Sequence, residues 1–262
     1  MTMQTEKAII YCERMGYRAL ELDLYRPDGP AGDPRPLLVY IHGGGFRLSH
    51  RSRAPRETRE WDRGFFERLT DAGFVVAAPD YRFSLEATYP AQIDDSKEAV
   101  RWLRANAPDL GIDPGPVYVW GASGGGYLAA CVGLATDVGP VGGVVCWYAI
   151  TDFTSVDQET FDSHEAWMLG GPIGERGELA VEASATTRVH ADAPPFHLVH
   201  GTADEEVAFD QSVRLDAALR EVGAEVTFEV IEGADHFWVG AEDQVEGIFD
   251  RSLSFVSALA GL

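Results

Sequence analysis

Val117-Tyr-Val-Trp120-Gly121-Ala-Ser123-Gly-Gly-Gly126 joins a short apolar run to a segment of small residues that continues to residue 135. The run is apolar throughout, as expected of a strand buried on both faces. Residues 124–135 suit a helix packed closely on a sheet. A strand that turns into a helix through Gly-x-Ser-x-Gly describes a nucleophile elbow. The turn is tight enough to strain the serine backbone, so its flanks must lack bulk, and Gly121 and Gly125 meet that need. It lifts the Ser123 hydroxyl clear of the sheet and sets it at a helix N-terminus, where the helix dipole favours negative charge. A bare Gly-x-Ser-x-Gly is a weak signal in a glycine-rich chain; the strand before it and the helix after it give it chemical content.

Outward from this turn, strand-like and helix-like segments alternate. That argues for an α/β fold with a mainly parallel sheet and helices on both faces. Residues 37–41, 74–78, 141–148 and 196–200 are further apolar runs, and residues 226–231 are another strand candidate. Residues 17–25 alternate, with Leu20, Leu22 and Leu24 on one side and Ala19, Glu21 and Asp23 on the other, which predicts a strand with one covered face. Residues 92–107 carry Ile93, Ala99, Val100, Leu103 and Ala107 near helical spacing before Pro108 and Gly111 end the run. Residues 210–222 and 243–259 are amphipathic. Two segments break the rhythm: an Arg-rich excursion over 47–63, and a long insertion over 151–192 with few apolar runs. Long loops in a compact domain are commonly lids or binding loops. The expectation is one domain over 1–262 with a small lid or cap at 151–192.

His42-Gly-Gly-Gly45-Phe46 directly follows the run 37–41. Acyl transfer passes through a tetrahedral oxyanion, and backbone N–H groups aimed at it lower the barrier. Only glycine lets the backbone approach so closely. The expected oxyanion-hole donors are the amides of Gly44, Gly45 and Gly124. His42 reads as a residue that holds the loop.

A serine nucleophile needs an imidazole to take its proton and a carboxylate to orient that imidazole, in the chain order Ser, acid, His. Asp204, in Gly201-Thr-Ala-Asp204, and His236, in Gly233-Ala-Asp-His236, both follow predicted strands. They fall at the carboxyl edge of the sheet with Ser123, where open α/β sheets bind ligands. Glu205, Glu206 and Asp235 compete by adjacency, and Asp152 is an alternative acid. His197 and His200 lie within a strand and read as core or hydrogen-bonded residues; His50, His164 and His190 read as loop or surface histidines.

The chain carries 42 acidic and 21 basic residues, a formal charge of −21, and its only lysines are Lys7 and Lys97. Such a surface repels phosphate backbones and anionic lipid, so nucleic acid and membranes are not expected partners. Cys12, Cys131 and Cys146 form no CxxC pair, and their odd number argues against a disulfide framework. No metal-ligand spacing, GxGxxG or P-loop pattern occurs, so no cofactor and no metal are expected. The N-terminus is polar and the longest largely apolar run, 141–150, is too short to span a bilayer. A cytoplasmic protein is the expectation, and a homodimer is compatible with it.

Several stretches together resemble a known group: Tyr40-Ile-His-Gly-Gly-Gly-Phe46, Asp80-Tyr-Arg-Phe-Ser84, Tyr89-Pro-Ala-Gln92, Gly111-Ile-Asp-Pro114, Trp120-Gly-Ala-Ser-Gly-Gly-Gly126 and Val199-His-Gly-Thr-Ala-Asp204. They resemble the hormone-sensitive-lipase-like branch of the α/β hydrolases, nearest to the small esterases grouped with bifunctional feruloyl and acetylxylan esterases. The resemblance covers roughly residues 17–256. It implies an eight-stranded α/β-hydrolase core, no cofactor, and hydrolysis of a small-molecule ester with a short acyl or aryl group. It maps the catalytic triad onto Ser123, Asp204 and His236. Gly124 stands where many relatives carry Ala, which keeps the backbone donor. Nothing in the resemblance accounts for the Arg-rich excursion. Arg47, Arg51, Arg53, Arg56 and Arg59 either offset acidic neighbours or meet an anionic substrate group. Two other functions fit parts of the pattern. One is an arylformamidase or amidase, with Trp61, Trp147, Trp167 and Trp238 framing an aromatic substrate. The other is a non-catalytic binding protein on the same scaffold.

Overall fold

The computed structural model describes residues 3–27, 33–156, 159–160 and 162–262. In chain order the strands are β1 (Met3–Cys12), β2 (Leu20–Pro27), β3 (Arg35–Ile41), β4 (Val75–Pro79), β5 (Ile112–Ala122), β6 (Val141–Trp147), β7 (Phe196–Gly201) and β8 (Val226–Ile231). The helices are α1 (Phe65–Asp71), α2 (Ala91–Ala105), α3 (Ala107–Leu110), α4 (Gly124–Gly133), α5 (His164–Leu169), α6 (Gly177–Ala183), α7 (Asp210–Glu221) and α8 (Val245–Ala260). The strands form one sheet of eight in the order β1-β2-β4-β3-β5-β6-β7-β8. The β1–β2 and β2–β4 pairs are antiparallel; every other pair is parallel.

The central strands are apolar throughout because both faces are covered, and alternate residues feed two separate cores. Leu37, Val39, Val117 and Val119 enter one core, with Ala99, Val100 and Leu103 of α2, Leu128 and Val132 of α4, and Leu215 and Leu219 of α7. Leu38, Tyr40, Tyr118 and Trp120 enter the other, with Phe65, Phe66 and Leu69 of α1 and Ile248, Phe249 and Val256 of α8. Helices thus lie on both faces, as the alternating pattern predicts. Among the described residues, no helix is long and apolar enough to cross a membrane.

The structure departs from the sequence expectations at three places. The polar N-terminal arm, assigned to no element by its sequence, forms β1, an edge strand against β2. The expected single helix over 92–107 breaks at Asn106 into α2 and α3. The supposedly open face of residues 17–25 is covered: Asp23 is buried, and the Arg51 guanidinium lies on it at 2.8 Å.

Candidate active site

Four chain segments meet at the carboxyl edge of the parallel strands, after β3, β5, β7 and β8. Ser123 sits between β5 and α4 with φ 55° and ψ −128°, a conformation that favours glycine. It persists because the surroundings leave no alternative. The Ser123 amide donates to the Trp147 carbonyl at 2.9 Å. A Cβ on Gly121 would lie 2.1 Å from the Gly125 carbonyl oxygen, and one on Gly125 would lie 2.1 Å from that of Ile41. The elbow therefore presses directly on the end of β3, which explains the glycines the motif requires.

His236 follows β8 with Nδ1 2.7 Å from Asp204 Oδ2 and Nε2 3.2 Å from Ser123 Oγ. With Asp204 ionised, Nδ1 carries the ring proton and Nε2 accepts from the serine hydroxyl. The ring is held edge-on by Tyr148 and Phe237, at centroid distances of 4.5 and 4.4 Å. Phe237 and Trp238 both adopt positive φ, and the Trp238 side chain is fully buried, which anchors this turn.

Asp204 accepts from the amides of Glu206 and Val207 at 3.0 and 2.8 Å. His200 Nε2 lies 3.2 Å from Asp204 Oδ2, with its Nδ1 2.7 Å from Ser212 Oγ. Burial alone would raise the Asp204 carboxyl. The hydrogen bonds from His200 and His236, the electrostatic attraction of the His236 ring and the Val207 amide outweigh burial and hold it well below the usual carboxylate range. Of the competing acids, Asp152 and Asp235 are occupied elsewhere. Asp152 caps Thr154 and faces Arg214, Asp235 accepts from the amides of His236 and Glu205, and the exposed Glu206 carboxylate stops 3.9 Å from His236 Nε2.

The glycine loop follows β3. His42 is buried, stacks on Tyr81 at 4.6 Å, and has Nδ1 2.9 Å from the Gly43 carbonyl, so it holds the loop as expected. Burial pushes its imidazole down to about 4, which keeps it neutral. Gly44 and Gly45 have φ of 117° and 58°. The Gly44 carbonyl accepts from the amides of Arg47 and Leu48 at 3.1 and 3.2 Å, turning the chain back on itself. Gly44, Gly45 and Gly124 border one cavity of about 350 Å³ that also exposes Ser123. That size suits a small ligand.

Two features of the site escape a sequence reading. His164, expected at the surface, opens α5 and lines the cavity; a Cβ on Gly45 would sit 2.3 Å from its Nδ1. Part of the insertion over 151–192 therefore touches the glycine loop. Glu57 accepts from the Tyr148 hydroxyl at 2.7 Å, its second oxygen is buried with no hydrogen-bond partner among the described residues, and burial raises its carboxyl. No motif marks Glu57, because its partner is far away in the chain. The four tryptophans offered as an aromatic frame lie outside the cavity wall. Trp147 and Trp238 are core residues, Trp61 packs on Phe249, and Trp167 lies under Arg47.

The chain is similar to several known proteins. Esterase LipQ of Mycobacterium tuberculosis is 29% identical over 237 residues, covering 84% of this chain and 55% of LipQ. Carboxylesterase NlhH from the same organism is 31% identical over 211 residues, covering 74% of this chain and 63% of NlhH. The chain thus spans little more than half the length of such relatives. Thermogutta terrifontis esterase 2, solved with propionate bound, superposes with a TM-score of 0.77 at 24% identity, covering 98% of this chain and 95% of the other. An acetyl ester-xyloside bifunctional hydrolase from Caldicellulosiruptor lactoaceticus gives 0.79 at 20% identity, covering 96% of each chain. At these identities the likeness establishes the α/β-hydrolase fold, with an open sheet. The BD-FAE family model matches residues 22–219, and with three quarters of its length so matched the chain belongs to the BD-FAE family.

Proposed function

We propose that this protein is a serine hydrolase of carboxylic esters with short acyl or aryl groups. Ser123 is the nucleophile, His236 the general base and acid, and Asp204 the residue that orients the imidazole. The single observation that carries this reading is the Ser123–His236–Asp204 hydrogen-bonded chain of 3.2 and 2.7 Å opening onto the cavity. The esterases among its relatives support it.

In the first step Ser123 Oγ bonds to the ester carbonyl carbon as its proton passes to His236 Nε2. The carbonyl oxygen becomes an oxyanion facing the amides of Gly44, Gly45 and Gly124. The C–O bond to the alcohol then breaks, and the alcohol leaves with the proton from His236. Water, deprotonated by the same nitrogen, attacks the acyl-enzyme and releases the acid. Asp204 stays ionised throughout, consistent with its lowered carboxyl. The insertion over 151–192 serves as a cap, with His164 as its contact to the glycine loop. Three free cysteines, two of them buried, support a cytoplasmic setting.

The test is initial rates on 4-nitrophenyl acetate, butyrate, octanoate and laurate for the parent and Ser123→Ala. The expected result is turnover of the short esters that declines with chain length and is lost in the variant. Turnover that survives Ser123→Ala, or none in the parent, overturns the reading. Turnover of N-formylkynurenine far above the aryl acetates would move the activity to the formamide class.

A further inference from the structure

The Arg-rich excursion after the glycine loop divides into two sets. Arg51 is largely buried and spent on structure: its guanidinium pairs with Glu21, Asp23 and Asp80 at 2.8, 2.8 and 2.7 Å. Arg47 lies over the Trp167 ring at 5.2 Å. Arg53, Arg56 and Arg59 are exposed and line the same cavity as Ser123. None of the three has a carboxylate within 4.0 Å among the described residues.

Arg18 pairs with Glu86, Arg82 with Asp95 and Arg101 with Asp137, and other arginines without a carboxylate, such as Arg104 and Arg176, donate to backbone carbonyls away from this cavity; Arg53, Arg56 and Arg59 are set apart by sharing its wall with Ser123. Two of the three are also oriented without being neutralised. Arg56 sits over the ring of Phe237, the residue after His236, at 5.3 Å, and Arg59 donates Nε–H to the Ala54 carbonyl at 3.2 Å. Stacking of this kind holds a guanidinium in place and leaves its outer N–H groups to a planar anion. Glu165 and Glu206 reach the same cavity from other elements, leaving three cations against two carboxylates. A protein of charge −21 repels anions at a distance, so a local cationic wall beside the nucleophile has a selective rather than a general effect.

We propose that the cavity is built for an ester that carries a carboxylate or a similar planar anion, recognised by Arg53, Arg56 and Arg59. This deepens the esterase reading and rests on it. The anion is a spectator: the bond that breaks is the ester C–O bond, and the charged group only fixes the pose. It belongs to the acyl part or to the alcohol part of the substrate, and paired substrates distinguish the two.

The experiment compares each charged ester with its neutral amide of nearly the same shape. Monoethyl adipate against its amide places the anion on the acyl side; 4-acetoxybenzoate against 4-acetoxybenzamide places it on the alcohol side. Rates are followed by titration or chromatography in the parent, in Arg53→Gln/Arg56→Gln/Arg59→Gln, and in the corresponding triple Lys variant. In at least one pair the parent should favour the anion by about ten-fold in kcat/KM, as expected for two or three solvent-exposed charge contacts. The Gln variant should lose that ratio and the Lys variant should keep most of it. Ratios near one in both pairs, with Ser123-dependent hydrolysis of the amides, overturn the anion proposal and leave ester hydrolysis standing. Hydrolysis of no member of either pair overturns both. The parent ratios decide the matter even if a triple variant fails to fold.

Discussion

Gly44→Ala should abolish most turnover without unfolding the protein, and the size of the loss can be worked out from the loop. A Cβ at Gly44 would stand 2.2 Å from the Leu48 carbonyl oxygen and 2.9 Å from its carbon. Non-bonded atoms settle near 3.5 Å, so one side must retreat by about 1 Å. The obstacle is backbone, and it is the segment that closes the turn through the Leu48 amide, so no rotamer change relieves it. The Gly44 φ of 117° adds a conformation that side chains rarely adopt. An oxyanion donor is useful only at about 2.7–3.1 Å, and losing one costs about 10²–10³ in kcat, or roughly 3–4 kcal/mol. The contact is made in the transition state, so kcat should fall with KM little changed. Steady-state rates on 4-nitrophenyl acetate, with a thermal melt to confirm folding, measure this directly. Gly45→Ala is the internal contrast. Its Cβ meets the His164 ring first, at 2.3 Å, and φ 58° is tolerable at a cost of about 1–2 kcal/mol. Adding His164→Ala should therefore recover Gly45→Ala but not Gly44→Ala. A folded Gly44→Ala protein within three-fold of the parent kcat would refute the argument, as would a double variant no faster than Gly45→Ala.

Two further predictions concern stability. Arg51→Met should cost about 3–5 kcal/mol in urea denaturation, because Asp23 is left buried without a counter-charge and Asp80 keeps only the exposed Arg18, at 3.3 Å; a loss under about 1 kcal/mol would show those acids to be adequately served by their remaining partners. His197 is buried against Phe255, and burial pushes its imidazole down to about 4, against opposing Glu229. The unfolded chain takes up that proton as pH falls through about 6.5 while the folded chain does not until about 4, so stability should decline across that window, by up to about 3 kcal/mol. His197→Phe should flatten the decline in pH-dependent melts, and an unchanged slope would assign the loss to other groups.

Much of this fold is legible because the central strands bury both faces and so appear as apolar runs. β3, β5, β6 and β7 announce themselves in this way, and their parallel order puts the segments after them at one edge. β1 does not, because Gln4 to Ala8 are all exposed, leaving no apolar run or alternation over its first half, and its pairing with β2 shifts register twice. α1 carries Phe65, Phe66 and Leu69 into a core, but in seven residues it is too short to show a period. At the site, Ser123, Asp204 and His236 are readable from chain order and from their positions after strands. His164 and Glu57 are not, since each matters only through a contact made across the fold. The Arg-rich excursion could be noticed but not divided, because what separates Arg51 from Arg53, Arg56 and Arg59 is the buried Asp23 beneath one and the cavity beside the others.

The Glu57–Tyr148 hydrogen bond has a bearing on how such a site can diversify. Glu57 lies between Arg56 and Arg59, in the cationic part of the cavity wall, yet through Tyr148 it bears on the His236 ring. On the proposed reading, substrate preference and catalytic competence are thereby threaded through one short turn. Lineages, or protein engineers, can exchange the arginines on either side to suit a new substrate. The turn between them is tethered to His236, the proposed base, so altered selectivity would be reached around Glu57 rather than through it.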